Sequence, residues 1–510
     1  MDYLTATNIL YLATGLVLIK QSDNLLWMFN SWRSPLRHLP GPKSDHLFLG
    51  NLLTLLRGQN TNLWEEWTEK YGKTMRYYGF FGSYQLLTID MRAINHIMTQ
   101  SKTFFKAERN RQGLARILGQ GLLAADYDTH KRQNPAFGQP QIRELVPIFN
   151  EKANQLRDIL VEQINNNTEG TTIDVLQWLS YATLDIIGIA GFGYEFNSLR
   201  DGDEDALSKA FSKVFDTDED DSLLAKLKGL GARLLGMPTE ENLRLRANIE
   251  TMNRIGSKIV ADKKALLLQE EKDGAASKER DILSILIKSN MAQTPEGAKP
   301  DQTLTDNEVL GQISTFLAAG HETTSTSTTW ALYALTQHPR VQTKLREELQ
   351  KAQLGDEPSM SDLEKLPYLD QVVREVLRVY PAVPVISRQA TKDAVIPVGQ
   401  SYIDRDGVTR SEIRIQKWDT VRVSILAINR AKDVWGDDAL EFRPERWDDL
   451  PAAVKDMPGV FGNLMTFIHG HHACIGYRFA LVETKALLYS LLRSIEFAID
   501  PEIEIIGKTG

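Results

Sequence analysis

Phe467-Ile468-His469-Gly470-His471-His472-Ala473-Cys474-Ile475-Gly476 is the stretch on which the reading of this chain turns. Cys474 is the sole cysteine among 510 residues, so no intrachain disulfide can form, nor a zinc site built on several thiolates. Two glycines bracket the thiol, and a long amphipathic helix is predicted just after it. Glycines permit a tight loop whose backbone amides point at sulfur, and a following helix start adds positive potential. Both effects lower the thiol pKa and favour the thiolate, the form that ligates metal. Phe467 and Ile475 supply apolar walls. A buried structural cysteine is the plainer reading of the same residues. His469, His471 and His472 keep a zinc alternative open, although their spacing suits no single helix face.

Outward from this loop the chain reads as mainly helical. Its 42% apolar and 25% charged residues are ordinary globular composition, which excludes disorder and fibrous architecture. With 59 basic and 67 acidic residues the net charge is -8, so there is no overall field to hold nucleic acid. Apolar periodicity predicts helices over 147–166, 174–190, 305–337, 339–352, 366–379 and 477–494, and strands over 74–79, 84–90 and 421–424. The expected class is therefore mainly α with a small β lobe (α+β), without the strand–helix alternation of a nucleotide-binding fold. Polar connectors are expected at 198–206, 216–222, 270–281 and 291–303. Asp216–Asp221 lacks the ligand spacing and glycine of a calcium loop and reads as a solvated loop. Leu223–Met237 reads either as an amphipathic surface helix or as a membrane-touching flap over a substrate entrance.

Tyr3–Ile19 carries no charge, at the short end of a membrane span. Lys20, Arg33, Arg37 and Lys43 follow, so the positive-inside rule places the rest of the chain in the cytosol. Leu39-Pro40-Gly41-Pro42 makes a stiff, non-helical link. Residues 1–22 are expected to be a membrane anchor, 23–43 a proline-rich linker and 44–510 one catalytic body. A buried core helix is the alternative for the apolar run.

Three further constellations carry weight. Ala319-Gly320-His321-Glu322-Thr323-Thr324 lies inside a predicted apolar helix, where glycine costs about 1 kcal/mol relative to alanine. Interior threonines bond back to helix carbonyls and bend the helix. The segment is either a polar stripe or a widened groove with an acid and an alcohol beside a cofactor. Glu375 and Arg378 share a helix face at i,i+3 spacing; as a surface pair they would contribute at most about 1 kcal/mol. Pro381-Ala382-Val383-Pro384 precedes Ser387-Arg388, and Arg388 in isolation reads as a surface arginine.

Together these segments resemble the cytochrome P-450 haem-thiolate monooxygenase superfamily, whose haem loop reads Phe-x-x-Gly-x-Arg-x-Cys-x-Gly. Phe467, Gly470, Cys474 and Gly476 are in register, and His472 stands where the pattern has arginine. The resemblance runs over nearly the whole chain and is strongest for fungal, basidiomycete-like microsomal members. It implies a triangular helical body around a buried haem b (iron protoporphyrin IX) bound through Cys474. Thr323 matches the family's oxygen-site alcohol and Glu322 its acid, with Ala319 beside the haem. Arg388, His472 and His130 become candidates for the haem propionates. Arg446, in Phe442-Arg443-Pro444-Glu445-Arg446-Trp447, would join Glu375 and Arg378 in a buried triad that fixes the haem loop.

One departure concerns His130-Lys131-Arg132-Gln133-Asn134-Pro135-Ala136-Phe137. Against fungal-type relatives about four residues are missing here, close to one helical turn or about 6 Å. The missing part would carry an arginine that pairs with a propionate, leaving Arg132 or Lys131 as substitutes and Pro135 to end the helix. The implied reaction inserts one atom of O2 into a lipophilic small molecule, in fungal secondary metabolism and terpenoid tailoring by family analogy. Electrons would come from NADPH through the NADPH-cytochrome P-450 reductase. The expected location is the endoplasmic reticulum membrane, single-pass, with the catalytic domain facing the cytosol. Two alternatives stand beside this reading: a relative that rearranges a peroxide without external oxygen, and a weakened haem- or lipid-binding relative with a depleted cationic pocket.

Overall fold

The computed structural model describes residues 30–57, 63–124, 134–166, 171–215, 240–273, 280–292, 304–500 and 502. The anchor at 1–22, the acidic run Asp216–Asp221, Leu223–Met237, and His130 with Arg132 all lie outside the described residues.

Helices form the bulk of the body. Gln139–Asn166 buries Ile142, Leu145, Val146, Phe149, Ala153, Leu156 and Leu160, a stripe at helical spacing. The predicted start at 147 falls short because Pro147 sits inside the helix. A proline there costs about 3 kcal/mol, yet the apolar stripe continues unbroken on both sides of it, and burial outweighs the lost hydrogen bond. This helix packs against Tyr477–Leu492 and Val175–Phe192. Val175–Phe192 is long and apolar enough to cross a membrane, but it is mostly buried within the body. Glu240–Lys272 is a further helix that apolar periodicity does not predict, because charged residues interrupt its apolar positions, of which Met252, Val260 and Leu267 are buried. Its end at Lys272 also runs into the connector expected from 270.

The stretch expected as one helix over 305–337 is three segments. Thr305 and Glu308 form a reciprocal cap at its start. Asp306–Phe316 then passes through a wider π-turn, Leu317–His321, into Glu322–Gln337. Gly320 lies in that turn because a Cβ there would stand 2.7 Å from Ile187 Cγ1 of the neighbouring helix.

The sheet lobe has five strands: β1 (Thr74–Tyr78), β2 (Tyr84–Thr88), β3 (Phe104–Phe105), β4 (Val385–Ala390) and β7 (Thr420–Ser424), in the order β1-β2-β7-β4-β3. β2 and β7 are parallel and the other pairs antiparallel. β5 (Ala394–Ile403) and β6 (Thr409–Ile415) form a separate hairpin with a bulge between Pro397 and Tyr402. Asp90 caps helix Met91–Thr99 through Ala93 N and also accepts from Gly399 N and Gln400 N, tying the hairpin to the helical body.

Asp419, at the mouth of β7, accepts from Ser34 Oγ at 2.7 Å and Gln416 N at 2.9 Å, fastening the N-terminal segment to the sheet. Burial pushes its carboxyl up to about 6. The folded state therefore holds this proton more tightly than the unfolded chain does. Stability from this group is full below about pH 4 and is lost as pH rises through 6. Asp419→Asn is expected to raise the thermal midpoint at pH 7.5, with a ceiling of about 3 kcal/mol. That advantage should shrink as pH is lowered toward 4. Equal midpoints for both proteins across this range would refute the assignment.

Candidate functional site

The loop around Cys474 is built by backbone geometry. Cys474 N donates to Phe467 O at 2.9 Å, closing the turn. Gly470 has φ +75, and a Cβ there would lie 2.5 Å from Met98 O, so only glycine lets the loop press onto helix Met91–Thr99. Phe467 and Ile475 are buried, as expected. Cys474 itself is solvent-accessible although protein atoms crowd around it. A side chain with both properties faces an interior slot rather than bulk water. The low dielectric of that slot pushes the thiol up to about 11, and the Gly476 amide pulls only partly the other way. The expected depression of the thiol pKa is thus corrected: desolvation outweighs loop amides and helix start, and the free side chain is a neutral thiol.

The bent helix presents the same pattern. Ala319 and Glu322 are exposed, while Leu317, His321 and Thr324 around them are buried. The exposed residues therefore face an internal cleft. Thr323 Oγ1 donates to Ala319 O at 2.7 Å, and His321 Nδ1 lies 2.8 Å from Leu317 O, so side chains satisfy carbonyls around the π-turn. Partial burial raises the Glu322 pKa above the ordinary carboxylate value. Phe137 joins helix to loop: its ring meets Phe316 edge-on at 5.7 Å, and its Cε1 is 3.9 Å from where a Gly476 Cβ would be. Asn134–Phe137 is a 3-10 turn.

Arg388 is buried on β4, not the surface arginine it would be in isolation. Its Nη1 donates to Ser387 O at 2.8 Å, and among the described residues no carboxylate pairs with it. Burial pushes it down to about 10. His472 packs edge-on against Phe105 at 5.8 Å. Behind the loop, Glu375 Oε1 accepts from Arg378 Nη2 at 2.8 Å and Arg446 Nε at 2.9 Å, with all three side chains buried. The zinc alternative finds no support, because no three His, Cys, Asp or Glu side chains converge among the described residues.

The cytochrome P450 family model matches residues 40–508. The chain belongs to the cytochrome P450 family. It is 46% identical to Cytochrome P450 monooxygenase 128 of Postia placenta, over 94% of this chain and 89% of that one. It is 44% identical to monooxygenase 205 of the same fungus, over 93% and 89%. A ganoderic acid synthetase of Ganoderma lucidum is 34% identical over 95% of this chain and 92% of its own. The mainly helical body with small sheets is the P450 fold.

P450 membership implies a haem-thiolate iron cofactor, a redox partner, O2 and a small-molecule substrate. The residues present fit such a group: an accessible thiol in a glycine-shaped loop, a helix with a π-turn joined to that loop through Phe137, and a buried guanidinium with no carboxylate partner among the described residues. Among the expected site residues, the structure brings the Cys474 loop to the bent helix through Phe137, and His472 to β3 through Phe105. Two contributors had no signal in the sequence. Gly121 and Gly311 bring a loop and the bent helix so close that a Cβ on Gly121 would stand 2.1 Å from Gly311 O. Lys106 donates to Leu123 O at 2.5 Å from a half-buried position near Arg388.

Proposed function

We propose that this P450 is a membrane-anchored monooxygenase that inserts one atom of O2 into a lipophilic small molecule of fungal secondary metabolism, with terpenoids as the substrate class to screen first. The observation that carries the proposal is the accessible thiol of Cys474 in a loop that Phe137 joins to the helix bearing Ala319 and Glu322. Cys474 would ligate the iron of haem b, with Arg388 and His472 toward its propionates and Phe467, Gly470 and Gly476 shaping the loop. His130 and Arg132 keep their place as propionate candidates from the sequence. Bound there, haem iron supplies the reductive activation of dioxygen.

The chain's own residues would handle protons and water. Glu322, raised by burial, holds a proton at its carboxyl nearer neutrality than an ordinary glutamate. Thr323 Oγ1 commits its hydrogen to Ala319 O, which leaves its lone pairs to accept from water or ligand. Rotation of that hydroxyl would pass a proton inward in a controlled order. The wide turn at Leu317–His321 gives the room. The proposed electron source is NADPH through the membrane-bound cytochrome P450 reductase, and the proposed location is the endoplasmic reticulum with the body facing the cytosol. A relative named for ganoderic acid synthesis supports the metabolic setting.

Thr323→Ala is expected to leave the reduced carbon monoxide spectrum intact. Product formed per NADPH consumed should fall by about 10²-fold, the lower end of what a positioned proton-transfer group contributes. Unchanged coupling would remove Thr323 from the relay. The proposal as a whole is tested by that spectrum on purified wild-type protein, followed by a product screen with reductase. A spectrum without thiolate character would overturn it.

A further inference from the structure

Helix Val175–Phe192 lies against the bent helix at the π-turn and presents a single stripe to it. Thr183, Ile187 and Gly191 stand four residues apart, so they share one face. Each meets a different part of the turn. Thr183 Oγ1 donates to His321 O at 3.2 Å. Ile187 fills the space beside Gly320, where a Cβ would stand 2.7 Å from its Cγ1 and 2.8 Å from its Cδ1. Gly191 lets Phe316 approach, since a Cβ there would already be 3.7 Å from Phe316 Cδ2. Ile187 is β-branched, which leaves it one strongly preferred rotamer in a helix, and at 3% exposure it is packed in place.

A π-turn is rare in helices and occurs mostly as a single turn at functional sites. Two side-chain bonds around this one, His321 Nδ1 with Leu317 O and Thr323 Oγ1 to Ala319 O, are internal to the bent helix and travel with it. The Thr183 hydroxyl reaches the turn from another element. Its one hydrogen is divided among His321 O, Leu179 O at 2.9 Å and Ser180 O at 3.2 Å, so it pins the junction of the two helices. The braced residues, Gly320 and His321, sit between Ala319 and Glu322, the two that are exposed. We propose that Thr183 and Ile187 are positioning residues that brace the π-turn from outside and thereby set where Glu322 and Thr323 stand for proton delivery. The inference rests on the monooxygenase reading above.

The test follows two quantities on the holoenzyme: product formed per NADPH consumed, and amide hydrogen exchange over residues 317–323. Gly320→Ala drives a methyl group into Ile187. It is expected to lower product per NADPH by about 10²-fold, the cost of a misplacement of about 1 Å, and to speed exchange over the turn. Adding Ile187→Ala makes room for that methyl, so the double variant should regain most of the lost coupling and near wild-type exchange. Thr183→Val keeps the shape and loses the hydroxyl; faster exchange and lower product per NADPH are expected. Thr183→Ser should behave as the wild type. The reduced carbon monoxide spectrum should be the same in all of them. A double variant worse than Gly320→Ala alone overturns the brace, as does Thr183→Val with wild-type exchange and coupling. Should Gly320→Ala give no folded holoenzyme, the Thr183→Val and Thr183→Ser pair decides. If Thr323→Ala leaves coupling unchanged, the relay reading fails, whereas exchange over the turn still judges the brace.

Discussion

Cys474→Ala is expected to abolish the thiolate-type spectrum of the reduced carbon monoxide complex and all monooxygenation, while the chain still folds. The first half follows from the cysteine count: no other thiol exists to take its place. The second follows from where the side chain lies. It faces an interior slot, not a packed wall, so its loss removes few contacts, and the loop keeps the Cys474 N to Phe467 O bond that closes it. The thiol stands at about 11 and is neutral at physiological pH without metal. Binding of iron must therefore displace the proton, and the Gly476 amide then solvates the sulfur that remains. Circular dichroism and the carbon monoxide spectrum measured on the same preparation check both halves. A variant that keeps the thiolate spectrum would show that iron is held elsewhere.

Local chemistry made much of this site legible. Glycine spacing around Cys474, the Ala319–Thr324 run, and the acid and two arginines at 375, 378 and 446 each carry a meaning that survives without neighbours. The rest depends on tertiary context. The π-turn at Leu317–His321 leaves no mark in periodicity, because it shifts the helix by a fraction of a turn within an apolar stretch. β3 spans two residues, too short for any alternation to show. Pro397 argues against a strand where β5 runs, and the bulge that accommodates it is visible only in the paired register. Lys106 looks like a surface lysine until the fold places Arg388 nearby. The raised thiol pKa is illegible in the sequence for the same reason: loop amides can be read from glycines, but desolvation by distant segments cannot.

Glu375→Ala is expected to reduce folded holoenzyme most severely among substitutions in the triad. Glu375 serves two buried cations: among the described residues it is the one carboxylate paired with Arg378, while Arg446 also pairs with Asp438 at 2.9 Å. Its carboxylate accepts from Arg378 Nε at 3.0 Å and Nη2 at 2.8 Å, Arg446 Nε at 2.9 Å, Arg443 N at 2.9 Å and Trp447 Nε1 at 3.1 Å. Its removal strands Arg378, whose remaining partners are the carbonyls of Asn429, Ala439 and Glu441. Carbonyls satisfy the hydrogen bonds but not the charge. The cost is about 3–5 kcal/mol, a large part of the about 5–15 kcal/mol that holds a folded protein. Arg446→Met should cost less, because Glu375 keeps Arg378 and Asp438 keeps Arg443 at 2.7 Å. The damage has a route to the haem loop. Asn429, whose carbonyl Arg378 holds, accepts from Met465 N at 3.2 Å and donates to Thr466 Oγ1 at 2.9 Å. Met465–Phe467 in turn leads to the Phe467 carbonyl that anchors Cys474 N. Thermal midpoints and haem content should therefore fall together, in the order wild type, Arg446→Met, Glu375→Ala. A wild-type midpoint in Glu375→Ala, or Arg446→Met falling below it, would show that the charge balance around Glu375 does not hold the loop in place.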